Sequence, residues 1–385
     1  MKIQIFMCGE GLGHTSRCLA IGERFLKKGH EVIFSAYGYS KEHIEKSGYK
    51  TLEIPSEIKL VGVSGSLDMR DSIEETLKGI DPLAYPRVFN MIRKEKPDIV
   101  ISDSYFMSAV ASKMQDIPLI FILNQTNIIS FFENRGIDVA LVGKIVTRFS
   151  DVVLKYADRI LIPDFPPPYT ICAKNVPLKP EILEKTEFVG PLVRKKYREV
   201  KSLSLGRRHV FSMVGGFGYR ERLFFNVIST AELKRDFNFT LVAGPNVDSE
   251  HLKDKIDKIG ENVKVLSYVN DALPYIKGSD VIIAPGGHST MMECLSFGKP
   301  LLSFPDMFHS EQQNNADMIE QLGVGKKMSY FTPPFMISEC IDEALKLKKN
   351  CQKMRRFAQR LDAPERILKI AEELTEIKLN NEKGQ

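Results

Sequence analysis

Hydrophobic and polar residues alternate along the first half of the chain in a pattern that predicts strands followed by helices. Short β-branched runs predict strands, and apolar residues spaced every three or four positions predict helices. The predicted strands are Ile3–Met7, Glu31–Ala36, Thr51–Ile54, Asp98–Ser102, Pro118–Leu123 and Arg159–Ile162. The predicted helices are Thr15–Lys28, about Ser72–Lys94, Phe106–Met114 and Ile137–Tyr156, with a mobile loop at Ile58–Met69. This alternation favours an α/β fold with a parallel, doubly wound sheet.

A second series of the same kind follows and predicts a second domain. Its strands are His209–Val214, Thr240–Ala243, Val263–Leu266, Val281–Ala284 and Leu301–Phe304. We place the linker at the basic tract Arg194–Arg198, which gives domains at residues 1–190 and 191–350. Residues 351–385 form a helical segment that could pack back on the first domain, with Pro364 interrupting it.

Composition narrows the class of protein. A net charge of +5 on 385 residues is mild and dispersed, so it does not support nucleic-acid binding. The six cysteines are scattered without metal-ligand spacing, which favours a reduced, cytoplasmic chain. The first residues already read as a strand, so we expect no signal peptide. No run approaches the roughly 18 apolar residues of a membrane-spanning helix.

A turn with two consecutive glycines follows the predicted strand Val281–Ala284. Gly286 and Gly287 allow a sharp turn and close approach of a ligand to the backbone. Ser289 and Thr290 then begin a helix that ends at Gly298-Lys299-Pro300. A helix N-terminus attracts anions, so this turn is a candidate phosphate site.

Glu293 lies three residues after Thr290 and has two interpretations. Its carboxylate could accept hydrogen bonds from the two hydroxyls of a ribose. Alternatively, Thr290-x-x-Glu293 could be a capping box, in which the glutamate only satisfies a backbone N–H.

A second glycine-rich turn, Val214–Gly218, follows a predicted strand and opens a helix. The N–H groups of Gly215, Gly216 and Gly218 could hold a diphosphate, or the glycines could serve the turn alone.

The segment from Gly287 to Ala316 resembles the donor motif of the GT-B glycosyltransferases, especially the MurG-like and UDP-glucuronosyltransferase-like branches. Their pattern, G-x-x-[ST]-x-x-E, a proline and then [DE]-Q-x-x-N-A, matches Gly287–Glu293, Pro305 and Glu311–Ala316. Many relatives carry a phosphate-binding histidine where this chain has Pro285, so phosphate contacts would fall to backbone N–H groups and to Ser289 and Thr290, with His288 as a further candidate.

The resemblance implies a fold and roles for several residues. It implies two Rossmann-like domains facing a cleft, the first binding an acceptor and the second a nucleotide sugar. Glu293 would bind the ribose, and Glu311 and Gln312 the sugar hydroxyls. Tyr268 and Val269, after the strand Val263–Leu266, correspond to the position where relatives contact the base.

The first turn, Cys8–Thr15, carries His14, and it lacks the G-x-x-G spacing of a dinucleotide site. An imidazole can take a proton near neutral pH, so His14 could be a general base, or it could only pack at the helix N-terminus. The resemblance favours the base, within an acceptor loop that includes Gly11 and Gly13. Asp103, at the same predicted sheet edge, could orient His14 or could cap the following helix.

These features together predict a metal-independent glycosyltransferase without a cofactor, and the resemblance implies that it inverts the anomeric carbon. No D-x-D element stands in a suitable place, and backbone N–H groups can stabilise the departing diphosphate. We expect transfer of a hexosyl group, such as N-acetylglucosamine or glucose, from a UDP-sugar to an acceptor that the sequence does not identify. The alternatives are a UDP-sugar 2-epimerase and a non-catalytic nucleotide-sugar binder.

Two apolar stretches suggest contact with the cytoplasmic face of a membrane. Ile128–Phe132 and Ile137–Phe149 stand beside Lys144, Arg148 and Lys155. Such a helix could lie at a bilayer interface with its cations toward anionic headgroups. The alternative is an ordinary helix whose apolar side faces the sheet.

Overall fold

The protein is described by a computed structural model covering residues 1–63, 65–133, 135–206, 208–213, 220–243 and 260–383. It divides into two compact units. The first comprises Met1–Val61, Asp68–Arg194 and Leu361–Gln385, and the second comprises Gly62–Leu67 and Lys195–Arg360.

The first unit is built on a parallel sheet of seven strands, which confirms the predicted doubly wound fold. Its strands, with those of a small hairpin, are β1 (Lys2–Met7), β2 (Glu31–Ala36), β3 (Thr51–Glu53), β4 (Val61–Val63), β5 (Ser66–Asp68), β6 (Ile99–Asp103), β7 (Leu119–Ile122), β8 (Arg159–Ile162) and β9 (Thr186–Phe188). The sheet order is β3-β2-β1-β6-β7-β8-β9, and β4 pairs with β5. Strand β9 and the hairpin were not predicted.

Helices cover both faces of this sheet. They are α1 (Leu12–Lys27), α2 (Gly38–Lys46), α3 (Met69–Lys78), α4 (Ala84–Glu95), α5 (Phe106–Met114), α6 (Ile137–Tyr156) and the single turn α7 (Pro180–Leu183). Along β1, Ile3, Ile5 and Met7 belong to one apolar cluster and Phe6 to another, so both faces of the strand are buried. This is the pattern expected of a central parallel strand.

The single helix predicted near Ser72–Lys94 is wrong, because the chain forms α3 and α4 with a turn between them. Pro82 disfavours helical conformation at Asp81, and the Asp81 carboxylate accepts a hydrogen bond from the Leu83 N–H at 2.9 Å.

The loop predicted at Ile58–Met69 is also wrong, because β4 and β5 lie within it. Part of this hairpin belongs to the second unit, where the Leu67 N–H donates to the Met307 carbonyl at 3.1 Å. The Met307 N–H donates to the Gly65 carbonyl at 2.8 Å. Backbone pairing with a segment so distant in sequence leaves no local signal.

The second unit has a six-stranded parallel sheet ordered β12-β11-β10-β13-β14-β15. Its strands are β10 (His209–Met213), β11 (Asn238–Val242), β12 (Val263–Leu266), β13 (Val281–Ala284), β14 (Leu301–Ser303) and β15 (Gly325–Lys327). Its described helices are α8 (Glu221–Leu233), α9 (Leu273–Gly278), α10 (His288–Ser296), α11 (Ser310–Gln321), α12 (Pro334–Lys346) and α13 (Lys348–Ala358).

The last helix, α14 (Ala363–Lys383), packs within the first unit. Ile367 and Ala371 join the apolar cluster that contains Leu19 of α1. Arg24 of α1 pairs with Glu365 at 2.7 Å. Pro364 stands at the beginning of this new helix, where a missing N–H costs nothing.

Each sheet has one point where the order of connections reverses. In the first, β1 lies between β2 and β6, and in the second, β10 lies between β11 and β13. Ligands of doubly wound sheets bind outside the carboxyl ends of the strands at such switch points. The candidate residues after β1, β6 and β13 therefore stand where this fold holds ligands.

Among the described residues, none of the helices combines the length and apolar character that a membrane span requires.

Candidate active site

His14 and Asp103 meet at the switch point of the first sheet. His14 lies in the first turn of α1, and Asp103 is the last residue of β6. The His14 Nδ1 is 2.9 Å from Oδ1 of Asp103. The Asp103 side chain is fully buried, whereas that of His14 is 21% exposed. This arrangement leaves the second nitrogen of the imidazole as the one that could take a proton from a bound molecule.

Arg17, which the sequence analysis did not single out, completes the group. It follows His14 by one helical turn and is buried. Its guanidinium donates to both carboxylate oxygens of Asp103 and, through Nη1, to Oδ1 of Asn124 at 3.0 Å. The i,i+3 spacing of His14 and Arg17 on a helix was a signal that could have indicated their proximity.

The charge state of Asp103 follows from these contacts. Burial opposes ionisation of this carboxyl, but the Arg17 guanidinium and His14 hold its pKa well below the usual range. Asp103 is therefore an anion throughout the physiological pH range.

Asp103 does not cap the following helix. The N-cap of α5 is Tyr105, and the carboxylate that reaches this helix end is Glu57. It accepts hydrogen bonds from the N–H groups of Phe106, at 2.8 Å, and Met107. Burial raises the pKa of Glu57 to about 7. Because Glu57 satisfies this helix end, both oxygens of Asp103 can serve Arg17 and His14.

Two of the predicted acceptor-loop glycines, Gly11 and Gly13, lie at the start of α1. Gly11 is the N-cap of α1 with φ of 101°, a left-handed conformation that favours glycine. A Cβ built at Gly11 meets no described atom within 4 Å. Gly13 lies within the first turn of α1.

In the second unit, the turn after β13 places Gly286 and Gly287 before α10. A Cβ at Gly286 would lie 2.7 Å from the Cβ of Gln312, so only glycine fits there. Gly287, which has no side chain of its own, is the N-cap of α10. The helix begins at His288, one residue before the predicted start at Ser289.

The bounds of α10 test the capping-box interpretation of Glu293. A capping box needs Thr290 as the N-cap residue, outside the helix. Thr290 instead lies inside α10, so the capping-box interpretation is wrong. Glu293 is partly buried on the same helix.

Gln312 supports the turn before α11. Its Oε1 accepts from the Asp306 N–H at 2.9 Å, and its Nε2 donates to Oδ2 of Asp306 at 3.0 Å. The buried Arg220 guanidinium forms a fork with the same carboxylate. Arg220 and Asp306 were not predicted, since their pairing joins distant parts of the sequence. Glu311 stands beside Gln312 in the first turn of α11 and is partly buried.

Tyr268 and Val269 follow β12, three strands away from β13 in the sheet order. With strands spaced by about 4.8 Å, this separation is roughly 14 Å, so a nucleotide touching both places would lie across the strand ends. Gly215, Gly216 and Gly218 lie outside the described residues.

Comparisons with known proteins assign the family. Residues 210–374 match the glycosyltransferase family 28 C-terminal domain, and residues 1–189 match glycosyl transferase family 1. An uncharacterized glycosyltransferase of Methanosarcina mazei is 50% identical over 375 residues, covering 97% of this chain and 98% of the relative.

More distant relatives include an enzyme named for its donor and acceptor. The UDP-N-acetylglucosamine--N-acetylmuramyl-(pentapeptide) pyrophosphoryl-undecaprenol N-acetylglucosamine transferase of Caldicellulosiruptor saccharolyticus is 24% identical over 341 residues, which cover 84% of this chain and 83% of that one.

Solved structures share the fold. The glycotransferase of kitacinnamycin matches with a TM-score of 0.71 at 16% identity, covering 97% of this chain and 98% of that one. The spinosyn rhamnosyltransferase SpnG complexed with thymidine diphosphate matches with a TM-score of 0.68 at 15% identity, covering 97% and 100%. The chain therefore belongs to the glycosyltransferases of the GT-B fold, with a family 28 C-terminal domain and a relationship to the MurG enzymes.

Proposed function

We propose that this glycosyltransferase transfers a hexosyl group from a UDP-sugar to a hydroxyl acceptor, without a metal ion and with inversion at the anomeric carbon. The observation that carries this proposal is the contact between His14 and the buried, ionised Asp103 at the switch point of the first sheet. A base held by a carboxylate suits removal of a proton from an attacking hydroxyl.

The reaction needs one proton acceptor and one site for a departing anion. The acceptor oxygen would attack the anomeric carbon while its proton passes to Nε2 of His14. The bond between the anomeric carbon and the diphosphate oxygen would break, and UDP would leave. Backbone N–H groups at Gly287 and the start of α10 would stabilise the developing charge, as helix N-termini do for phosphates.

Residues of the second unit would hold the donor. Glu293 would accept hydrogen bonds from the ribose, and Ser289, Thr290 and His288 would contact the diphosphate. Glu311 would contact the sugar. Gln312 would contact the sugar as well, from a position that its hydrogen bonds to Asp306 fix. Tyr268 and Val269 would contact the base.

UDP is expected to raise the melting temperature of the protein more than ADP, GDP or TDP does. Ligands that bind only the native state stabilise it by mass action, so the shift ranks the affinities for the four bases. TDP is the most informative competitor, because a relative of the same fold is complexed with thymidine diphosphate. Equal shifts for all four nucleotides would remove the uracil assignment, and a larger shift for TDP would replace it.

The donor sugar is identified first, and the acceptor is then sought with that donor. UDP-N-acetylglucosamine and UDP-glucose are the first donors to compare, because a relative's name contains UDP-N-acetylglucosamine. The better donor, radiolabelled in its sugar, is then incubated with lipid and glycan extracts. Label that moves into an extract component identifies the acceptor class.

We further propose that helix α6 lies on the cytoplasmic surface of an anionic membrane. Four apolar side chains at every fourth position face solvent, Ile137, Leu141, Ile145 and Phe149, with exposures of 90, 60, 64 and 51%. The alternative of a helix whose apolar side only faces the sheet does not account for this stripe. Buried residues such as Val153 and Leu154 form a separate apolar face of the same helix.

The charges on α6 support an anionic lipid surface. Lys144 and Arg148 are exposed within the same stretch, where they would face headgroups while the apolar stripe enters the interface. In the other predicted apolar stretch, Ile128–Phe132, the Phe132 side chain is buried and packs against α6 at Gly143, where no side chain stands in the way. Phe132 would therefore support the helix and not enter the bilayer.

We expect the protein to sediment with phosphatidylglycerol-containing vesicles and to remain in the supernatant with phosphatidylcholine vesicles. Leu141→Gln combined with Ile145→Gln should abolish sedimentation, because the substitutions remove apolar area that would otherwise enter the interface. Leu233→Gln is the matched control, since Leu233 of α8 is 61% exposed in the second unit. Equal sedimentation of the double variant and the control would rule out α6 as the membrane contact.

A further inference from the structure

Arg17 is a buried cation beside the proposed base. Its side chain is 4% exposed. The Nε and Nη2 groups donate to the two oxygens of Asp103, and Nη1 donates to Oδ1 of Asn124 at 3.0 Å. The side chain is therefore fixed by contacts with β6 and with the segment after β7, and it cannot move away from His14 without breaking them.

Two groups compete for one nitrogen of His14. The Nδ1 atom lies 2.9 Å from Oδ1 of Asp103 and also 2.9 Å from Nη2 of Arg17. A carboxylate can only accept and a guanidinium can only donate. If Nδ1 carries a proton, it donates to Asp103, and if it carries a lone pair, it accepts from Arg17.

The two states have opposite consequences for catalysis. With the proton on Nδ1, the lone pair of the neutral imidazole is on Nε2, which can then accept a proton from a substrate. With Arg17 donating to Nδ1, the proton is on Nε2, and the ring cannot act as a base there. The side chain that fixes Nδ1 thus decides whether His14 can work.

We propose that Arg17 is a positioning residue with two effects on His14. It holds Asp103 as an anion, so that Asp103 binds the Nδ1 proton. It also offsets the negative charge of Asp103 at His14, so that the imidazole stays neutral. This inference rests on His14 acting as the base of the proposed function. Without Arg17, an unpaired buried carboxylate would stabilise the imidazolium, which cannot accept a proton.

An acidic side chain also interacts with His14. Glu10, in the turn between β1 and α1, interacts electrostatically with the imidazole. It is unchanged in every variant below, so differences between the variants report on Arg17 and Asp103.

The test is nitrogen NMR of the full-length protein labelled with ¹⁵N-histidine, with the His14 signals assigned from a His14→Gln sample. Such spectra distinguish a protonated from a lone-pair nitrogen and follow formation of the imidazolium with pH. In the wild type at neutral pH, Nδ1 should be protonated and Nε2 should carry the lone pair.

In Arg17→Gln, the imidazolium should persist to a pH higher by roughly 1–3 units, as expected for an opposite charge at this distance. Arg17→Lys keeps the positive charge and should stay near the wild type. Arg24→Gln, on the same helix, is the matched control for loss of a guanidinium. An Arg17→Gln sample that titrates like the wild type would overturn the proposal.

A second comparison does not require the folded protein to tolerate Asp103 as an unpaired buried carboxylate. In Asp103→Asn, Arg17 is the charged group left beside Nδ1, so the proton should move to Nε2 and the imidazolium should form only at lower pH. The double variant, Asp103→Asn with Arg17→Gln, lacks both charges and therefore leaves no uncompensated buried ion. Its titration should be close to that of the wild type. Identical titrations of the single and double variants would overturn the proposal.

These spectra require neither an acceptor nor turnover. If His14 shows the expected states but His14→Ala keeps full activity, the proposed base is wrong while the role of Arg17 on the imidazole stands. If the spectra do not respond to Arg17 but His14→Ala is inactive, the base stands and the inference about Arg17 fails.

Discussion

Replacing His14 with alanine is expected to lower the turnover number by about 10²–10⁴-fold, the usual contribution of a positioned general base. The physical reason is that Asp103 and Arg17 hold the imidazole at the end of β1 and β6, where it would accept the proton of the attacking hydroxyl. Affinity for the donor should change little, because the proposed donor contacts all lie in the second unit, after β12, in the turn after β13, and on α10 and α11. Turnover is measured as UDP release with the identified acceptor, and donor affinity by calorimetry.

Two comparisons make this result specific. His30→Ala is the matched control, because His30 precedes β2 and so lies at the amino ends of the strands. Asp103→Asn should also lower turnover, because it moves the proton to Nε2 in most molecules, and the loss should not exceed that of His14→Ala, since the minor tautomer can still act as the base. A fall in donor affinity instead of turnover in His14→Ala would make His14 part of the phosphate site and leave the base unassigned.

The parts of this fold that the sequence predicted are those decided by neighbouring residues. The strand Val281–Ala284 is an apolar, β-branched run that ends at two glycines, and its bounds agree between sequence and structure. The same holds for Phe106–Met114 and Ile137–Tyr156, whose helical periodicity is local. Strand β15, Gly325–Lys327, has no such pattern, because pairing with β14 and not its composition makes it a strand.

The same distinction between local and tertiary contacts applies to the candidate site. His14 and Asp103 could be paired from the sequence because a doubly wound sheet brings the ends of β1 and β6 together. The role of Glu57 could not be found, since its hydrogen bonds to the start of α5 depend on the path of the chain after β3. Arg220 and Asp306 are also joined only by tertiary structure.

The exposed apolar stripe of α6 shows a different limit of prediction from sequence. Periodicity predicts which side chains share a face of a helix, but it does not tell which of two apolar faces meets the sheet. Val153 and Leu154 are buried, whereas Ile137 and Ile145 face solvent. Only the packing of the helix separates these sets, and so only the structure reveals an apolar surface that could contact lipid.

Replacing Glu293 with glutamine is expected to weaken binding of UDP and of the UDP-sugar by roughly 1–3 kcal/mol, the scale of one charge-assisted hydrogen bond to a bound ligand. That loss corresponds to a five- to 150-fold rise in the dissociation constant, about one factor of ten for each 1.4 kcal/mol. Glutamine keeps the size of the side chain and the helix propensity, so it tests the charge of the carboxylate.

The same variant separates ligand binding from a structural role. Since α10 begins at His288, the substitution removes no capping box, and the melting temperature of the unliganded protein is measured beside its affinity for UDP. Glu339→Gln, at an exposed position on α12, is the matched control for the loss of one carboxylate. Glu311→Gln should weaken binding of the UDP-sugar but not of UDP, because the proposed contact of Glu311 is with the sugar. A Glu293→Gln protein that loses stability and keeps its affinity for UDP would show that this carboxylate supports α10 and that the ribose is held elsewhere.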